Sequence, residues 1–190
     1  MDAITGIDRA LFYLANTSFT TVFLDFFMPF ITTKSNFIEV AFFLWAMFMI
    51  MGTWKTRKVL LLLFLVVTIS DYLSSSILKE YFQRIRPCTE LEGVRLLVGC
   101  GGSYSFPSSH STNIFAAMVW LSLHYRRLTP LFLTIAVLVA YSRIYVGVHY
   151  PLDVVGGACL GTSVALLFIA FETRVLPRLT RHYREGKGGN

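Results

Sequence analysis

The chain has 190 residues, of which 55% are hydrophobic and only 15% are charged, and its mean hydropathy is +0.60. A water-soluble domain of this size needs more polar surface than that, so we exclude that class. The net charge of +6 would suit nucleic acid, but the basic residues cluster in short loops between apolar segments and in the C-terminal tail. This distribution is typical of topology signals in a membrane protein, and we expect no nucleic-acid partner.

The first 35 residues predict an interfacial N-terminal segment. Apolar residues at positions 4, 7, 11 and 14 have helical spacing with polar neighbours, which favours an amphipathic helix on the membrane surface. Residues 19–33 are apolar but contain Asp25 and Pro29, so they form either a second surface segment, which we favour, or a sixth span. A cleaved signal peptide is not expected, because acidic residues stand where its basic region would lie.

Five further segments approach the length of about 20 residues that crosses a bilayer. They predict an all-α, polytopic membrane bundle of five or six transmembrane helices, which forms a single domain over residues 1–190. The five segments are 37–51, 59–78, 109–124, 128–145 and 151–171.

The basic residues predict which end of this bundle faces the cytoplasm. They are concentrated at 54–58, at 124–127 and in the tail 174–190. Placing all three on the cytoplasmic side obeys the positive-inside rule. Residues 79–104 and 143–153 are then expected at the opposite, outer face.

A first cluster of chemical interest is Lys79-Glu-Tyr-Phe-Gln-Arg-Ile-Arg-Pro87. Lys79 and Arg86 are seven residues apart and would share one face of a continuous helix, whereas Arg84 is expected to point elsewhere. Taken alone, this segment is also typical of a basic helix end that contacts lipid headgroups.

A second cluster, Pro107-Ser-Ser-His110, immediately precedes an apolar helix. Ser108 is expected to be the N-cap of that helix, and the free amides of its first turn would form an anion site beside His110. Taken alone, the segment could also be an ordinary capped helix whose histidine faces the headgroups.

A third cluster runs from Ser142 and Arg143 to His149 and Asp153. A carboxylate four residues after a histidine can hold one tautomer of the ring and stabilise its protonated form. A local polar pair at a helix start would have the same sequence. However, arginine, histidine and aspartate together at the mouth of an apolar bundle are costly unless they have a function.

The three clusters together read Lys-x6-Arg-Pro, then Pro-Ser-x-His, then Ser-Arg-x5-His-x3-Asp. This pattern resembles the type 2 phosphatidic acid phosphatase superfamily, the lipid phosphatases related to the vanadium haloperoxidases. The motifs extend from Lys79 to Asp153, and the helical pattern extends the resemblance over most of the chain. The second motif departs from the usual Pro-Ser-Gly-His, because Ser109 stands where the glycine would be. Serine keeps the backbone amide and adds a hydroxyl, so we expect the site to survive.

The resemblance implies a lipid phosphatase that works through a phosphohistidine intermediate. It implies that His149 attacks phosphorus, that Asp153 orients His149, and that His110 protonates the leaving oxygen and later deprotonates the hydrolytic water. It also implies that the phosphoryl oxygens are bound by Lys79, Arg86, Arg143, Ser108 and Ser109.

We expect neither a metal ion nor another cofactor. The predicted outer-face cluster has few carboxylates and an excess of cations, whereas a magnesium site needs hard oxygen ligands. Asp71 lies inside the second apolar segment and should face the bundle interior. For Asp71 a structural hydrogen bond is more strongly indicated than a catalytic role.

The motifs identify only the phosphate, so several lipids remain as substrates. An outward-facing site in a bacterial inner membrane would suit undecaprenyl pyrophosphate, phosphatidylglycerol phosphate, phosphatidic acid or lipid A 1-phosphate. The alternative is a non-enzymatic lipid-binding or transport protein. A transporter should carry broken helices near the midplane, often in repeated halves, and no such repeat is visible. The sequence leaves the oligomeric state open.

Two cysteines, Cys88 and Cys100, flank the loop between the first two motifs. If this loop faces the cell exterior, its compartment permits disulfides, and we favour a bridge over two free thiols. Cys159 is expected to be a buried free thiol within the last helix.

Overall fold

A computed structural model describes residues 3–175 of the chain, apart from the side chain of Val175. Within this range the regular structure is helical and no strand occurs, as the composition predicts. The α-helices are α1 Ala3–Tyr13, α2 Val22–Thr32, α3 Ser35–Met51, α4 Trp54–Tyr72, α5 Lys79–Phe82, α6 Pro87–Glu90, α7 Ser109–His124, α8 Thr129–Tyr145 and α9 Pro151–Ala170. Short π-helical turns extend three of them, at Leu14–Ser18, Leu73–Leu78 and Phe171–Val175.

Start signals in the sequence set most of the helix boundaries. Helix α9 begins with Pro151 in its first turn, where a missing backbone N–H costs nothing. Helix α4 begins five residues before the predicted segment, because Thr53 Oγ1 accepts a hydrogen bond from the backbone N–H of Thr56 at 3.3 Å. The basic residues after Thr53 therefore lie in the first turns of a helix and not in a loop.

Three helical segments are long and apolar enough to cross a membrane, judged by length and composition: Trp54–Glu90, Arg126–Tyr145 and Pro151–Arg174. Ala3–Ser18 and Val22–Thr32 would make a fourth if the pair, bent by 115°, forms one broken span. Helix α3 is apolar but has 17 residues. The described residues therefore confirm a helical membrane protein with three or four candidate spans. The total of five or six spans stays a prediction, as does the surface placement of residues 19–33.

Helix α7 lies at the centre of the bundle and packs against α4, α8 and α9. Two glycines let α9 approach it closely. A Cβ atom on Gly157 would lie 2.5 Å from the carbonyl oxygen of Ser108, and one on Gly161 would overlap backbone atoms of Thr112 and Ala116. Small residues four positions apart are a common device for close helix pairing in membranes. This pairing sets the distance between the first turns of α7 and α9.

The outer surface of the bundle is strongly apolar. Large hydrophobic side chains such as Phe42, Phe64, Val137 and Leu167 are exposed on it. Such a surface suits lipid and not water. Cys159 also lies exposed on α9, so the prediction that its thiol is buried is wrong.

The N-terminal segment is more tightly attached to the bundle than an interfacial helix needs to be. Ile4 and Ile7 are exposed, whereas Phe12 and Asn16 are fully buried. Asn16 Nδ2 donates to the carbonyl oxygen of Tyr145 at 2.7 Å. The apolar residues near the start of α1 thus point outwards, whereas Asp8 and Phe12 reach into the bundle.

A polar cluster closes the end of the bundle where α7 and α9 finish. Glu172 accepts from Lys58 at 2.6 Å and lies 2.9 Å from Nε2 of His124. The predicted cytoplasmic tail, 174–190, lies almost entirely outside the described residues.

Candidate active site

The three motifs meet at one end of the bundle, where α5 and α8 finish and where α7 and α9 begin. We call this the site end. All eight predicted site residues lie there. The buried ones are Lys79, Arg86, Ser108, Arg143, His149 and Asp153, and the half-buried ones are Ser109 and His110.

His149 lies in the turn between α8 and α9, and 2% of its surface is exposed. Its Nε2 atom is 3.3 Å from Nη1 of Arg86, and its Nδ1 atom is 3.5 Å from Oδ2 of Asp153. A guanidinium can only donate, so Nε2 is the acceptor and the proton of the neutral ring is on Nδ1, facing the carboxylate.

The environment of His149 keeps its ring neutral. The pKa of His149 is lowered to about 3, chiefly by burial and also by the charges of Arg86 and Arg143, while the contact with Asp153 acts in the opposite direction. A neutral imidazole retains the lone pair that a nucleophile needs.

The carboxylate of Asp153 is held by three donors. Its Oδ2 atom accepts from the backbone N–H of Tyr150 at 2.8 Å and from the hydroxyl of Ser105, and its Oδ1 atom accepts from Arg84 Nη1 at 2.7 Å. The sequence alone does not indicate a role for Ser105, which lies just before the second motif. Its hydroxyl is also 3.4 Å from Nδ1 of His149.

Lys79 and Arg86 reach the site by different routes. Helix α5 ends at Phe82, and Gln83 has a left-handed backbone with φ = 47°. The prediction that the two cations share one face of a continuous helix is therefore wrong. Lys79 Nζ donates to the carbonyl oxygen of Tyr104 at 2.5 Å, and Arg86 Nε donates to that of Ser103 at 2.7 Å.

A disulfide joins Cys88 to Cys100 across a Cα–Cα distance of 6.1 Å, as we favoured. Arg86 precedes one end of this bridge, and Ser103, which binds the Arg86 guanidinium through both its carbonyl and its hydroxyl, follows the other. The bridge therefore closes the loop that fixes the position of Arg86.

Ser108 is the N-cap residue of α7, as predicted, but its side chain does not cap the helix. Its backbone N–H donates to the carbonyl oxygen of Asp153 at 3.0 Å, while its hydroxyl is fully buried and has no hydrogen-bond partner within residues 3–175. Ser109 Oγ is 2.9 Å from Ser75 Oγ. The hydroxyl of Ser108 thus remains available to a ligand.

Arg143 and His110 complete the set of predicted site residues. Arg143 Nη1 donates to Thr32 Oγ1 at 2.7 Å, but its Nε atom is buried and makes no hydrogen bond with the part of the chain that the structure describes. His110 lies in the first turn of α7, within electrostatic range of His149, Arg143 and the exposed Lys34. The site therefore combines several cations with polar atoms that can bind an anion.

Arg84 was expected to point away from the site, yet it contacts the catalytic candidate Asp153. Its Nη1 atom donates to Asp153, and its Nη2 atom donates to Asp8 Oδ2 at 2.5 Å. Asp8 in turn accepts from the backbone N–H of Leu152 at 2.9 Å. The sequence offers one signal for this contact, the acidic residue Asp8 within a mostly apolar helix.

Two further expectations concern residues outside the core of the site. Asp71 accepts a hydrogen bond from Asn113 Nδ2 at 2.5 Å, which matches the expected structural role. Within residues 3–175, no group of three or more histidine, cysteine, aspartate or glutamate side chains is placed to hold a metal ion. A metal-free reaction stays a prediction.

Comparison with known proteins identifies the family. Residues 58–176, more than half of the chain, match the sequence model of the PAP2 superfamily. The chain belongs to the PAP2 superfamily. This family is the one that the three motifs indicate, and the predicted class of membrane lipid phosphatase is confirmed at that level.

Individual PAP2 proteins resemble the chain over most of its length. The lipid A 4'-phosphatase of Porphyromonas gingivalis is 32% identical, over 86% of this chain and 72% of that protein. The crystal structure of a transmembrane PAP2 phosphatidylglycerolphosphate phosphatase from Bacillus subtilis matches with a TM-score of 0.74 and 30% identity, covering 92% of this chain and 89% of that one. LpxE of Aquifex aeolicus matches with a TM-score of 0.72 and 28% identity, covering 85% and 93%.

Proposed function

We propose that this PAP2 phosphatase hydrolyses a phosphomonoester or pyrophosphate of a membrane lipid through a phosphohistidine on His149. The observation that carries the proposal is the setting of the His149 ring. Its Nε2 atom faces the cations of the site, and its Nδ1 atom faces a carboxylate. The first nitrogen can therefore attack an anionic phosphorus centre while the second keeps its proton.

In the first step, the lone pair of Nε2 forms a bond to phosphorus and the bond from phosphorus to the lipid oxygen breaks. His110 donates a proton to that leaving oxygen. His149 becomes a phosphorylated imidazolium, and the negative charge of Asp153 stabilises it. In the second step, His110 accepts a proton from water, the water oxygen attacks phosphorus, and inorganic phosphate leaves with His149 restored.

The cations stabilise the charge on the phosphoryl oxygens. Lys79, Arg86 and Arg143 lie close enough to influence one another electrostatically, so a dianionic group relieves their mutual repulsion. The hydroxyl of Ser108 and the Nε atom of Arg143 supply hydrogen-bond donors that the described protein does not otherwise use. Fixed donors of this kind act where charge spreads in phosphoryl transfer. They supply the neutralisation for which other phosphatases use a divalent ion.

We propose that the active site faces outwards from a bacterial inner membrane. The basic residues at the start of α4 and before α8 lie at the end opposite the site, which supports this orientation through the positive-inside rule. The Cys88–Cys100 bridge lies at the site end, and structural disulfides persist in oxidising compartments.

The substrate is a phosphorylated lipid of that membrane. Undecaprenyl pyrophosphate, phosphatidylglycerol phosphate, phosphatidic acid and lipid A 1-phosphate all present the required group. The relative from Porphyromonas gingivalis adds lipid A 4'-phosphate to the panel. A lipid-binding or transport protein is the alternative from another class.

A phosphate-release assay over these five lipids in detergent tests the proposal, with His149→Ala as the blank. We expect release from at least one lipid, no effect of EDTA, and inhibition by vanadate, which mimics pentacoordinate phosphorus. Loss of activity in EDTA that is restored by Mg²⁺ would overturn the metal-free reaction. Lipid binding without any phosphate release would favour the non-enzymatic alternative.

A further inference from the structure

A chain of buried charges links the N-terminal helix to the catalytic carboxylate. The guanidinium of Arg84 forks between two aspartates, with Nη1 2.7 Å from Asp153 Oδ1 and Nη2 2.5 Å from Asp8 Oδ2. The two carboxylates are almost completely buried, at 0% and 2% exposure. Two buried carboxylates require a cation between them, because an unpaired buried charge is strongly destabilising.

Asp8 is fixed on the far side of this fork. Its Oδ1 atom accepts from the backbone N–H of Leu152, in the first turn of α9, and so satisfies a donor that the helix cannot pair internally. Arg84 is also stacked over the ring of Tyr150, with 4.1 Å between its central carbon and the ring centroid. The fork therefore has little freedom to rotate.

The fork acts together with the backbone N–H of Tyr150 and the hydroxyl of Ser105, which bind Oδ2, to set which oxygen of Asp153 faces His149. With Oδ1 bound to Arg84, the Oδ2 atom is the one left beside the imidazole Nδ1. Without Arg84, Oδ2 would keep its bonds to Tyr150 and Ser105, but Oδ1 would lose its partner, so the carboxylate would be less firmly oriented or would lose its charge in the buried site. Either change would weaken its support of the imidazolium that forms during the reaction.

We propose that Asp8 and Arg84 are positioning residues through which the N-terminal helix holds the Asp153 carboxylate towards His149. The inference rests on the proposed function, because it assumes that Asp153 assists a nucleophilic His149. It assigns a role in turnover to a helix that lies outside the matched family region and outside the three motifs.

The test measures kcat and KM separately for Arg84→Gln and Arg84→Lys, per folded enzyme. Outer-shell partners of functional groups typically contribute about 10- to 100-fold to activity, so we expect Arg84→Gln to lower kcat by about that factor while KM changes less than about twofold. The lysine variant keeps the charge but cannot fork, and should recover part of the loss. If Arg84 had a purely structural role, its replacement would lower the yield of folded enzyme. It would not lower kcat selectively while KM stays nearly constant.

The pH profile supplies a second readout. The charged and titratable groups around Asp153 are Arg84, Lys79, Arg86 and His149, and the carboxylate of Asp8 lies on the other side of Arg84. Without the positive charge of Arg84, the protonated forms of Asp153 and His149 are both favoured. The acid limb of kcat should therefore move to higher pH in Arg84→Gln.

Asp8→Asn extends the test to the N-terminal helix. The amide oxygen can still cap α9, so the fold is preserved, but the ion pair with Arg84 is lost. If the two residues act as one unit, the double variant should be no slower than Arg84→Gln alone, because coupled sites are not additive. If the losses in kcat of the two single variants multiply in the double variant, the two residues act independently and the proposed link through α1 is wrong.

Arg95→Gln is the matched control. Arg95 also pairs with an aspartate of the N-terminal segment, Asp25 at 2.6 Å, but it does not bind Asp153. We expect its kcat to stay within about twofold of wild type. If Asp153→Asn is slow while Arg84→Gln and Asp8→Asn behave like this control, the inference fails. If Asp153→Asn itself turns over normally, the proposed catalytic role of Asp153 fails instead.

Discussion

At the scale of single residues, the site depends on a contact that would be unfavourable if His149 were charged. The guanidinium of Arg86 lies 3.3 Å from Nε2 of His149 inside a site that water barely reaches. Two cations at that distance repel, so the arrangement keeps the proposed nucleophile unprotonated. In the proposed reaction the same cation then meets the incoming phosphoryl group, so Arg86 would serve both the free enzyme and the reaction.

This arrangement predicts the effect of Arg86→Gln on the pH dependence. Because the Arg86 charge lowers the pKa of His149, removing it should raise that pKa. The acid limb of kcat/KM, which reports on the free enzyme, should then move to higher pH, in addition to a fall in rate of about 100- to 1,000-fold.

Lys58→Gln, which changes a paired cation at the opposite end of the bundle, should leave the profile unchanged. An unchanged acid limb in Arg86→Gln, measured from kcat/KM at pH values that extend down to the His149 pKa of about 3, would contradict this account of His149.

The residues of the three motifs could be predicted to meet at one site, because each motif is local in the sequence and their pattern resembles a known family. Their supports could not be. Arg84, Ser105 and Asp8 contact Asp153 only because the chain leaves the helix at Gln83 and because α1 folds back onto α9. Neither feature has a periodic signal in the sequence.

At the scale of secondary structure, the close pairing of α7 and α9 brings the second and third motifs together. The backbone N–H of Ser108 bonds to the carbonyl of Asp153 across this contact. The boundaries of α7, α8 and α9 follow the sequence prediction to within one residue, because prolines or serines mark their starts. The start of α4 and the π-helical turn before α5 were not predicted, since they depend on a threonine cap and on local packing.

The pairing predicts that Gly161→Ala destabilises the protein. Alanine is favoured over glycine in a helix by about 1 kcal/mol, so the exchange should stabilise α9 by itself. Here the added Cβ would overlap the backbone of α7, and overpacking of this kind costs about 1–3 kcal/mol. We expect a lower Tm in detergent. We also expect lower activity, because the second and third motifs would move apart.

Gly6→Ala provides the matched control. A Cβ on Gly6 would have no atom within 4 Å, so the same exchange in α1 should leave the Tm unchanged or raise it. Equal Tm values for Gly161→Ala and wild type would show that the helices can separate at little cost, contrary to this account.

At the scale of the whole molecule, the apolar outer surface and the polar ends define a protein that lies in a bilayer. Hydropathy alone predicted this class, but it did not determine the number of spans. Helix α3 has only 17 residues, and α1 and α2 are bent by 115° with respect to each other. How such elements sit in a membrane depends on lipid and on neighbouring helices more than on composition.

The proposed orientation predicts which positions are accessible from outside the cell. In a Cys159→Ala background, Glu92→Cys should react with a membrane-impermeant thiol reagent in intact cells, because Glu92 is exposed at the site end. Lys55→Cys, exposed at the opposite end, should react only after the membrane is permeabilised. The reverse pattern would place the active site on the cytoplasmic face. Undecaprenyl pyrophosphate that faces the exterior would then no longer be a candidate substrate.

The central claim is that phosphate is transferred to His149, and direct detection of that intermediate is its sharpest test. His110→Ala should accept phosphate from a labelled lipid with a good leaving group but hydrolyse it slowly, so the intermediate should accumulate. After an alkaline quench, which preserves a phosphorus–nitrogen bond, peptide mass spectrometry should find the phosphate on His149, and acid should release it. His149→Ala should carry no label and show no turnover. Phosphate on another residue, or turnover by His149→Ala, would contradict the account.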